Sequence, residues 1–448
     1  MDYKKGQLIY ILIAFIFFGC SNDNEVDNSQ PAISITNFVA SYNQVKIDWT
    51  LQRPEGIIID NLTISRIEKN GESDLYQEKL IANLPSNETS FIDTDVPYKD
   101  EVSYSVRIMY RDERVTPVTY DNEIKSEPKK FIRDIVKFDR VPFQVQKDPT
   151  QPNIFHILNK ERTGSLVKYN AVKNSIEHKR TFENGFFLNN KFHIVNNNEI
   201  YLANTQGKIY KINLNSYEIL DSYLATVADN LNSFSVSGNR IYYQDDEDWC
   251  IYDTSTRISI KTGYLSNSDY SEYMGNDKTF FLYCQNEQYG SMGFASYTAE
   301  NCPGFMDCSP VTYYYTPWAL KPNSIDANIF SWNADRSKCI SSINGAVFNT
   351  NTLKPEIRLN DITGKHYFQF AFDANNNIYA TVQGEKKIHK FDSQYKLVEV
   401  IDTKLYPLFP LLTTDGLKVI GSYKPVSYWS FGYGYNFDFN IKSAVETF

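Results

Sequence analysis

Two periodicities of apolar and polar positions divide the chain. Up to residue 132 the apolar positions alternate with polar ones in short runs. Val45, Ile47 and Trp49 interleave with Lys46, Asp48 and Thr50, and Val102, Tyr104, Val106 and Ile108 repeat the pattern, as a strand with one covered face requires. ISITNFVA, NLTISRIEK and TSFIDTD read as further strands, with turn signals at Asn70-Gly71, Pro85-Ser86-Asn87 and Pro97 between them. Roughly 100 residues with about seven short strands predict a β-sandwich over 32–132.

From residue 133 a longer period takes over. Asn198-Glu199-Ile200-Tyr201-Leu202-Ala203 followed by Gly207-Lys208-Ile209-Tyr210-Lys211-Ile212-Asn213 is matched by Asn377-Ile378-Tyr379-Ala380-Thr381 followed by Gly384 and Lys387-Ile388-His389-Lys390-Phe391-Asp392. Related units begin at Asn153 and Arg240, and weaker ones near Thr279, Ile325 or Ala346, and Leu417. Their starts lie roughly 40 to 50 residues apart, the period of a four-stranded propeller blade. One such meander cannot cover both its faces alone, whereas a ring of them can. The expectation is therefore an all-β chain whose residues 133–448 form a β-propeller of about seven blades, with six and eight as alternatives.

Composition sharpens this picture. Tyrosine (33) and phenylalanine (29) far outnumber methionine (5) and histidine (5), and aromatic residues favour strands. A net charge of -9 without a basic cluster argues against a nucleic-acid partner.

The N-terminus carries an address. Lys4 and Lys5 precede an apolar run over 8–18, which ends at Gly19-Cys20 and is shorter than the ~20 residues of a spanning helix. This predicts a signal peptide over 1–19. Phe17-Phe18-Gly19-Cys20 resembles a bacterial lipobox, with phenylalanine where that motif usually keeps leucine, and the resemblance implies lipidation at Cys20. The acidic tether over 20–31 looks like the export signals of Bacteroidetes-type surface lipoproteins, which implies a lipid-anchored, surface-exposed protein of the outer membrane.

Two further resemblances concern the domains. Trp49 and the stretch TSFIDTDVPYKDEVSYSVRIMY, with Tyr104, resemble the core tryptophan and the tyrosine-bearing strand of fibronectin type III domains. Such domains are usually spacers or protein-binding modules. The repeated "G-x-I-Y-x-I-D" phrases look like those of PQQ-, YncE- and NHL-type propellers, which host binding proteins and enzymes alike.

Candidate chemistry is sparse. His156, His178, His193, His366 and His389 are scattered and read as structural; there is no GxSxG or HExxH motif, and Ser393-Gln394-Tyr395-Lys396 sits in a repeat turn. No catalytic residue, metal ligand or cofactor is assigned. Asp373, Asn375 and Asn377 alternate like oxygen ligands, yet the glycine and distal glutamate of an EF-hand are missing, and a strand-leading turn fits better. Asp245-Asp246-Glu247-Asp248 reads as a solvated hairpin tip.

Aromatic residues are the strongest binding signal. Tyr289, Tyr297, Tyr313, Tyr314, Tyr315 and Trp318, among glycines and prolines, read as an irregular insertion whose rings are candidates to meet a ligand, with packing between blades as the alternative. In SYWSFGYGYNFDFN, Phe431, Tyr433, Tyr435, Phe437 and Phe439 are expected on one face of one extended strand, packed against a neighbouring blade. Beyond Cys20, five cysteines allow two disulfides, with Cys302–Cys308 and Cys284–Cys339 as the candidate pairs.

Together these features point to a non-enzymatic surface lipoprotein that captures a ligand on a propeller, and the resemblance to Bacteroidetes-type surface lipoproteins implies a glycan or compact cofactor presented beside an outer-membrane nutrient transporter. The alternatives are a propeller polysaccharide hydrolase or lyase that joins two carboxylates in its funnel, and an adhesion or scaffolding protein that binds another protein.

Overall fold

The computed structural model describes residues 29–69, 76–159, 164–182, 191–204, 207–225, 231–245, 248–264, 268–275, 278–285, 291–298, 312–316, 326, 329–426, 428–431, 434–437 and 440–448. Within these ranges, the side chains of 121, 232, 248, 262–264, 268–269, 275, 278–285, 291–298, 312–316, 428–431 and 434–437 are not described. Residues 1–28 lie outside, and with them the expected signal segment, the expected lipidation site Cys20 and most of the expected tether.

The all-β class expected from the sequence holds: the described residues form antiparallel sheets, with one helix of a single turn, Leu359–Thr363. The chain divides into two compact units. The first is built from residues up to Glu68 with Gln77–Val96 and Ser103–Lys130, and the second chiefly from Phe131–Phe448.

In the first unit, strands Ala32–Ala40, Val45–Gln52 and Ser90–Asp93 form one sheet. Tyr76–Leu84, Ile57–Lys69, Glu101–Asp112 and Thr119–Lys125 form another, with Lys129–Ile132 also paired to Glu101–Asp112. The alternation read from the sequence has its physical cause here. Val45, Ile47 and Trp49 are buried, while Lys46 and Asp48 are half-buried and Thr50 is exposed. A buried polar tie links the two sheets. The Tyr104 hydroxyl donates to Asp93 Oδ2 at 2.8 Å, and Arg66 Nη1 donates to the same oxygen at 2.7 Å and to the Asp95 carbonyl at 2.6 Å. Burial of a charged pair is tolerated only with such additional hydrogen bonds.

The second unit is a succession of four-stranded meanders. Strands drawn from 144–181, 193–224, 231–264, 268–316, 330–358 and 367–402 make the first to sixth sheets, each with its strands paired in chain order. The seventh joins Tyr406–Thr413, Gly416–Ser422 and Ser443–Thr447 to Lys137–Phe138 from the start of the unit, in the register Ser443↔Phe138 and Ala444↔Lys137. Both ends of the unit thus share one sheet.

Burial changes across each sheet in a regular way. In the first sheet, Ile154–Asn159 is buried at every position, whereas the fourth strand, Ser175–Thr181, is mostly exposed. A strand buried throughout is one covered on both faces. The covers are the neighbouring sheets. Leu158 and Leu166 of the first sheet pack with Ile200, Leu202 and Ile212 of the second. Tyr201 and Ile209 of the second pack with Phe234 and Tyr243 of the third. Tyr242 of the third stacks on Tyr273 of the fourth with ring centroids 6.1 Å apart. Tyr270 of the fourth joins Cys339 and Phe348 of the fifth, and Ile340 and Val347 of the fifth meet Ile378 and Ala380 of the sixth. One last cluster unites Phe368 of the sixth sheet, Leu411 and Val445 of the seventh, and Ile157 and Val167 of the first.

Three expectations need correction. The stretch holding Tyr297 and Tyr313–Tyr315 is not an irregular insertion: Lys278–Gln285, Ser291–Thr298 and Thr312–Thr316 are regular strands of the fourth sheet, in the registers Thr279↔Tyr297 and Ala295↔Tyr313. The strand preference of tyrosine and phenylalanine prevails, and Gly293 sits within a strand, opposite Tyr283 and Tyr315. The late aromatic run is not one extended strand. Tyr428–Phe431 and Gly434–Phe437 are antiparallel partners, in the register Tyr428↔Phe437, so the two halves of the run lie side by side. Finally, Cys339 is a buried free thiol, not half of a bridge to Cys284. It packs as a small apolar group, and burial pushes its thiol well above the usual range.

Candidate functional site

The first strands of six of the seven sheets in the second unit, all but the third, run beside a shared cavity of about 550 Å³, a size typical of small-molecule sites. Gln144–Lys147, His193–Val195, Ser268–Gly275, Phe330–Trp332, Tyr367–Phe372 and Tyr406–Thr413 all contribute lining residues.

Local sequence sets the side chains there. Phe192 is held by the first sheet: its N–H donates to Gln144 Oε1 at 2.7 Å, and its carbonyl accepts from Gln144 Nε2 at 3.1 Å and Gln146 Nε2 at 2.9 Å. Its two neighbours, Lys191 and His193, are thereby fixed on the cavity wall. In the fourth sheet the register shifts between Ser268 and Tyr270 and again between Tyr273 and Gly275, so Tyr270 and Glu272 stand between two irregularities. Such bulges redirect side chains. Arg336 occupies the left-handed region (φ 57°) in the turn after Phe330–Trp332, and its Nη1 donates to the Tyr273 carbonyl at 2.7 Å.

These elements converge on Glu272. Arg336 Nη2 lies 2.9 Å from Oε1, the Tyr270 hydroxyl donates to Oε2 at 2.9 Å, and His193 Nδ1 is 3.3 Å from Oε2. Burial alone would raise the Glu272 carboxyl, but the hydrogen bond and charge of His193, the Arg336 guanidinium and the Tyr270 hydroxyl outweigh it and hold the carboxyl at about 2. The Tyr270 oxygen in turn accepts from Trp332 Nε1 at 3.0 Å. Burial, and then the Glu272 charge, push the Tyr270 hydroxyl far above its ordinary range, so it stays a donor.

An aromatic wall adjoins this network. Phe330 stacks on Tyr270 with centroids 4.6 Å apart and lies 5.2 Å from the Trp332 ring. His193 meets Phe234 edge-on at 4.9 Å. Lys191, half-buried, holds its Nζ 5.1 Å from the Tyr270 centroid. Burial lowers this ammonium to about 8, and the charges of Asp326 and Glu272 offset that only in part. Lys147 is a second cation of the lining; its Nζ donates to the Leu412 carbonyl at 2.9 Å.

The cavity therefore combines ring faces, two lysines and an ionised carboxylate whose charge is already matched by Arg336. A glycoside-cleaving pair needs one carboxyl kept protonated near neutral pH. Glu272 is driven the opposite way. Asp373, the other carboxylate of the lining, accepts from the backbone N–H of Asn375 at 2.8 Å, that of Asn377 at 2.9 Å and the Asn377 side chain at 2.8 Å, so it builds the turn before the next strand.

Most residues singled out from the sequence lie elsewhere. Tyr297 and Tyr313–Tyr315 fall on fourth-sheet strands whose side chains are not described, while Tyr289, Trp318, Cys302 and Cys308 lie outside the described residues. Asp245 and Asp248 are partners at the end of a hairpin. His156 is structural, with Nε2 3.0 Å from Asp148 Oδ2 and Nδ1 2.7 Å from the Tyr217 hydroxyl, all three groups buried. Sequence reasoning missed Lys191, His193, Tyr270, Glu272, Trp332 and Arg336. The usable signal was positional, since each lies in or beside the first strand of a repeat. No model of a known protein family matches the chain, and no curated protein matches it.

Proposed function

We propose that this protein is a non-enzymatic cell-surface lipoprotein. In this reading a fibronectin type III-like β-sandwich carries a seven-bladed β-propeller, and the propeller captures a glycan or compact cofactor in its central cavity. Four-stranded meanders packed in order, with a last sheet that takes a strand from the start of the unit, support the propeller. Lipidation at Cys20 would anchor the chain in the outer membrane, beside a nutrient transporter that receives the ligand.

The observation that carries capture is the cavity wall of Tyr270, Phe330 and Trp332. Aromatic faces with polar tips suit sugar rings and flat cofactors. Among the lining carboxylates, Glu272 is locked as an ion and Asp373 is committed to its turn, which favours binding over hydrolysis.

The test is a thermal-midpoint screen of the full chain against neutral and acidic oligosaccharides and flat cofactors. A ligand specific for the native state at a hundredfold excess over its Kd adds ~2.7 kcal/mol. Capture predicts a saturable upward shift that is lost in Trp332→Ala. No shift with any of these compounds would sink the reading.

A further inference from the structure

The charges of the cavity identify the kind of ligand. Its cations are Lys147, Lys191 and Arg336, and its carboxylates are Glu272 and Asp373. Arg336 is matched by Glu272, whose second oxygen is taken by Tyr270 and His193. Asp373 is engaged by three N–H groups of its own turn. Lys191 differs from the other cations. Asp326 and Glu272 attract it only through space, and that attraction falls short of what burial costs it. An ammonium in this condition gains most from an oxyanion placed within hydrogen-bond distance. Beside it stands the wall of Tyr270, Phe330 and Trp332, suited to a sugar face.

We propose that the captured ligand is an acidic saccharide, whose carboxylate or sulfate oxygens bind Lys191 Nζ while its ring lies against the aromatic wall. This rests on the capture reading above and specifies its substrate class. Neutral sugars of the same shape bind more weakly, because they leave the ammonium unsatisfied.

A pH signature follows. Only the protonated lysine offers charge to the ligand, and free Lys191 loses its proton near 8. Affinity is therefore full at pH 7 and falls by ~30-fold toward pH 9.5 if the bound ammonium stays protonated. The other groups facing Lys191 are Tyr270, whose hydroxyl stays protonated through this range, Glu272, which stays ionised, Asp326, Arg336, and His193 on the same segment. Lys147 is also lowered by burial and is the group most able to mimic the effect.

The experiment is calorimetry on the full chain with digalacturonate, a 4-sulfated galactobiose and neutral galactobiose, at pH 7 and pH 9.5. The variants are Lys191→Met, Lys191→Arg and Lys147→Met, each first checked for an unchanged thermal midpoint without ligand. The expected result is binding of at least one acidic probe, tenfold or more above the neutral one. Lys191→Met should abolish both that preference and the pH step, while Lys191→Arg keeps the preference and loses the step. Lys147→Met should keep both. The acidic probe that binds distinguishes carboxylate from sulfate. Equal binding of neutral and acidic probes, or an unchanged preference in Lys191→Met, overturns the charge assignment and leaves capture standing. Binding of none of the three, together with no shift in the wider screen, overturns capture and this inference alike.

Discussion

Replacing Glu272 by glutamine removes the charge around which the cavity wall is organised. The folded carboxyl titrates at about 2 against an ordinary 4.5, and a pKa unit corresponds to ~1.4 kcal/mol, so the ionised group stabilises the fold by about 3 kcal/mol. The Glu272 side chain is 14% exposed and that of Arg336 45%, so solvent screens the pair and this figure is the upper end of the effect. The sign is fixed by the direction of the shift. An unfolded chain binds this proton more readily than the folded one, so the stabilisation is full above 4.5 and disappears as pH falls through about 2. Urea unfolding of wild type and Glu272→Gln across pH 3–8 measures it. The gap should be up to about 3 kcal/mol at pH 7 and should narrow steadily below pH 4.5. A variant as stable as wild type at pH 7, or a gap that does not depend on pH, would refute the assignment of Glu272 as the locked anion of the site.

Other substitutions probe the frame. Val445 is fully buried in the sheet that joins both ends of the second unit; Val445→Asp should cost more than ~4 kcal/mol and expose that unit to limited proteolysis. Tyr217→Phe removes the hydroxyl on His156 Nδ1, leaves a buried ring nitrogen unmatched and should cost about 1–3 kcal/mol in urea unfolding. At Gly421 a methyl group would stand 2.7 Å from Leu405 Cβ and 3.0 Å from the Tyr406 carbonyl oxygen; Gly421→Ala should lose about 1–3 kcal/mol, read from the urea midpoint.

The strand content and the repeat were legible in the sequence because they rest on local rules. Val45, Ile47 and Trp49 alternate because one face is covered, and Ile200-Tyr201-Leu202-Ala203 runs continuously apolar because both faces are. The turns were legible for a similar reason: an aspartate at a chain reversal takes nearby backbone N–H groups, as Asp373 does with those of Asn375 and Asn377 and Asp392 with those of Gln394 and Lys396. The site was not legible. Lys191, Glu272 and Arg336 come from separate repeats, and only the packing order of the sheets brings them to one wall. His193 looks like any isolated histidine until Phe192 is clamped by Gln144 and Gln146. Aromatic density pointed to Tyr313–Tyr315, but density along a strand does not say which rings face a cavity. Tyr270 and Trp332 stand alone in sequence and meet through a hydrogen bond of 3.0 Å.

The most direct test of capture in the cavity is hydrogen exchange of the full chain with and without saturating digalacturonate. The account predicts protection over the first strands of the sheets, at 144–147, 191–195, 268–275 and 330–336, with little change over 312–316. Protection confined to 289–318, or none at a concentration where calorimetry detects binding, would contradict it and move the ligand to another surface.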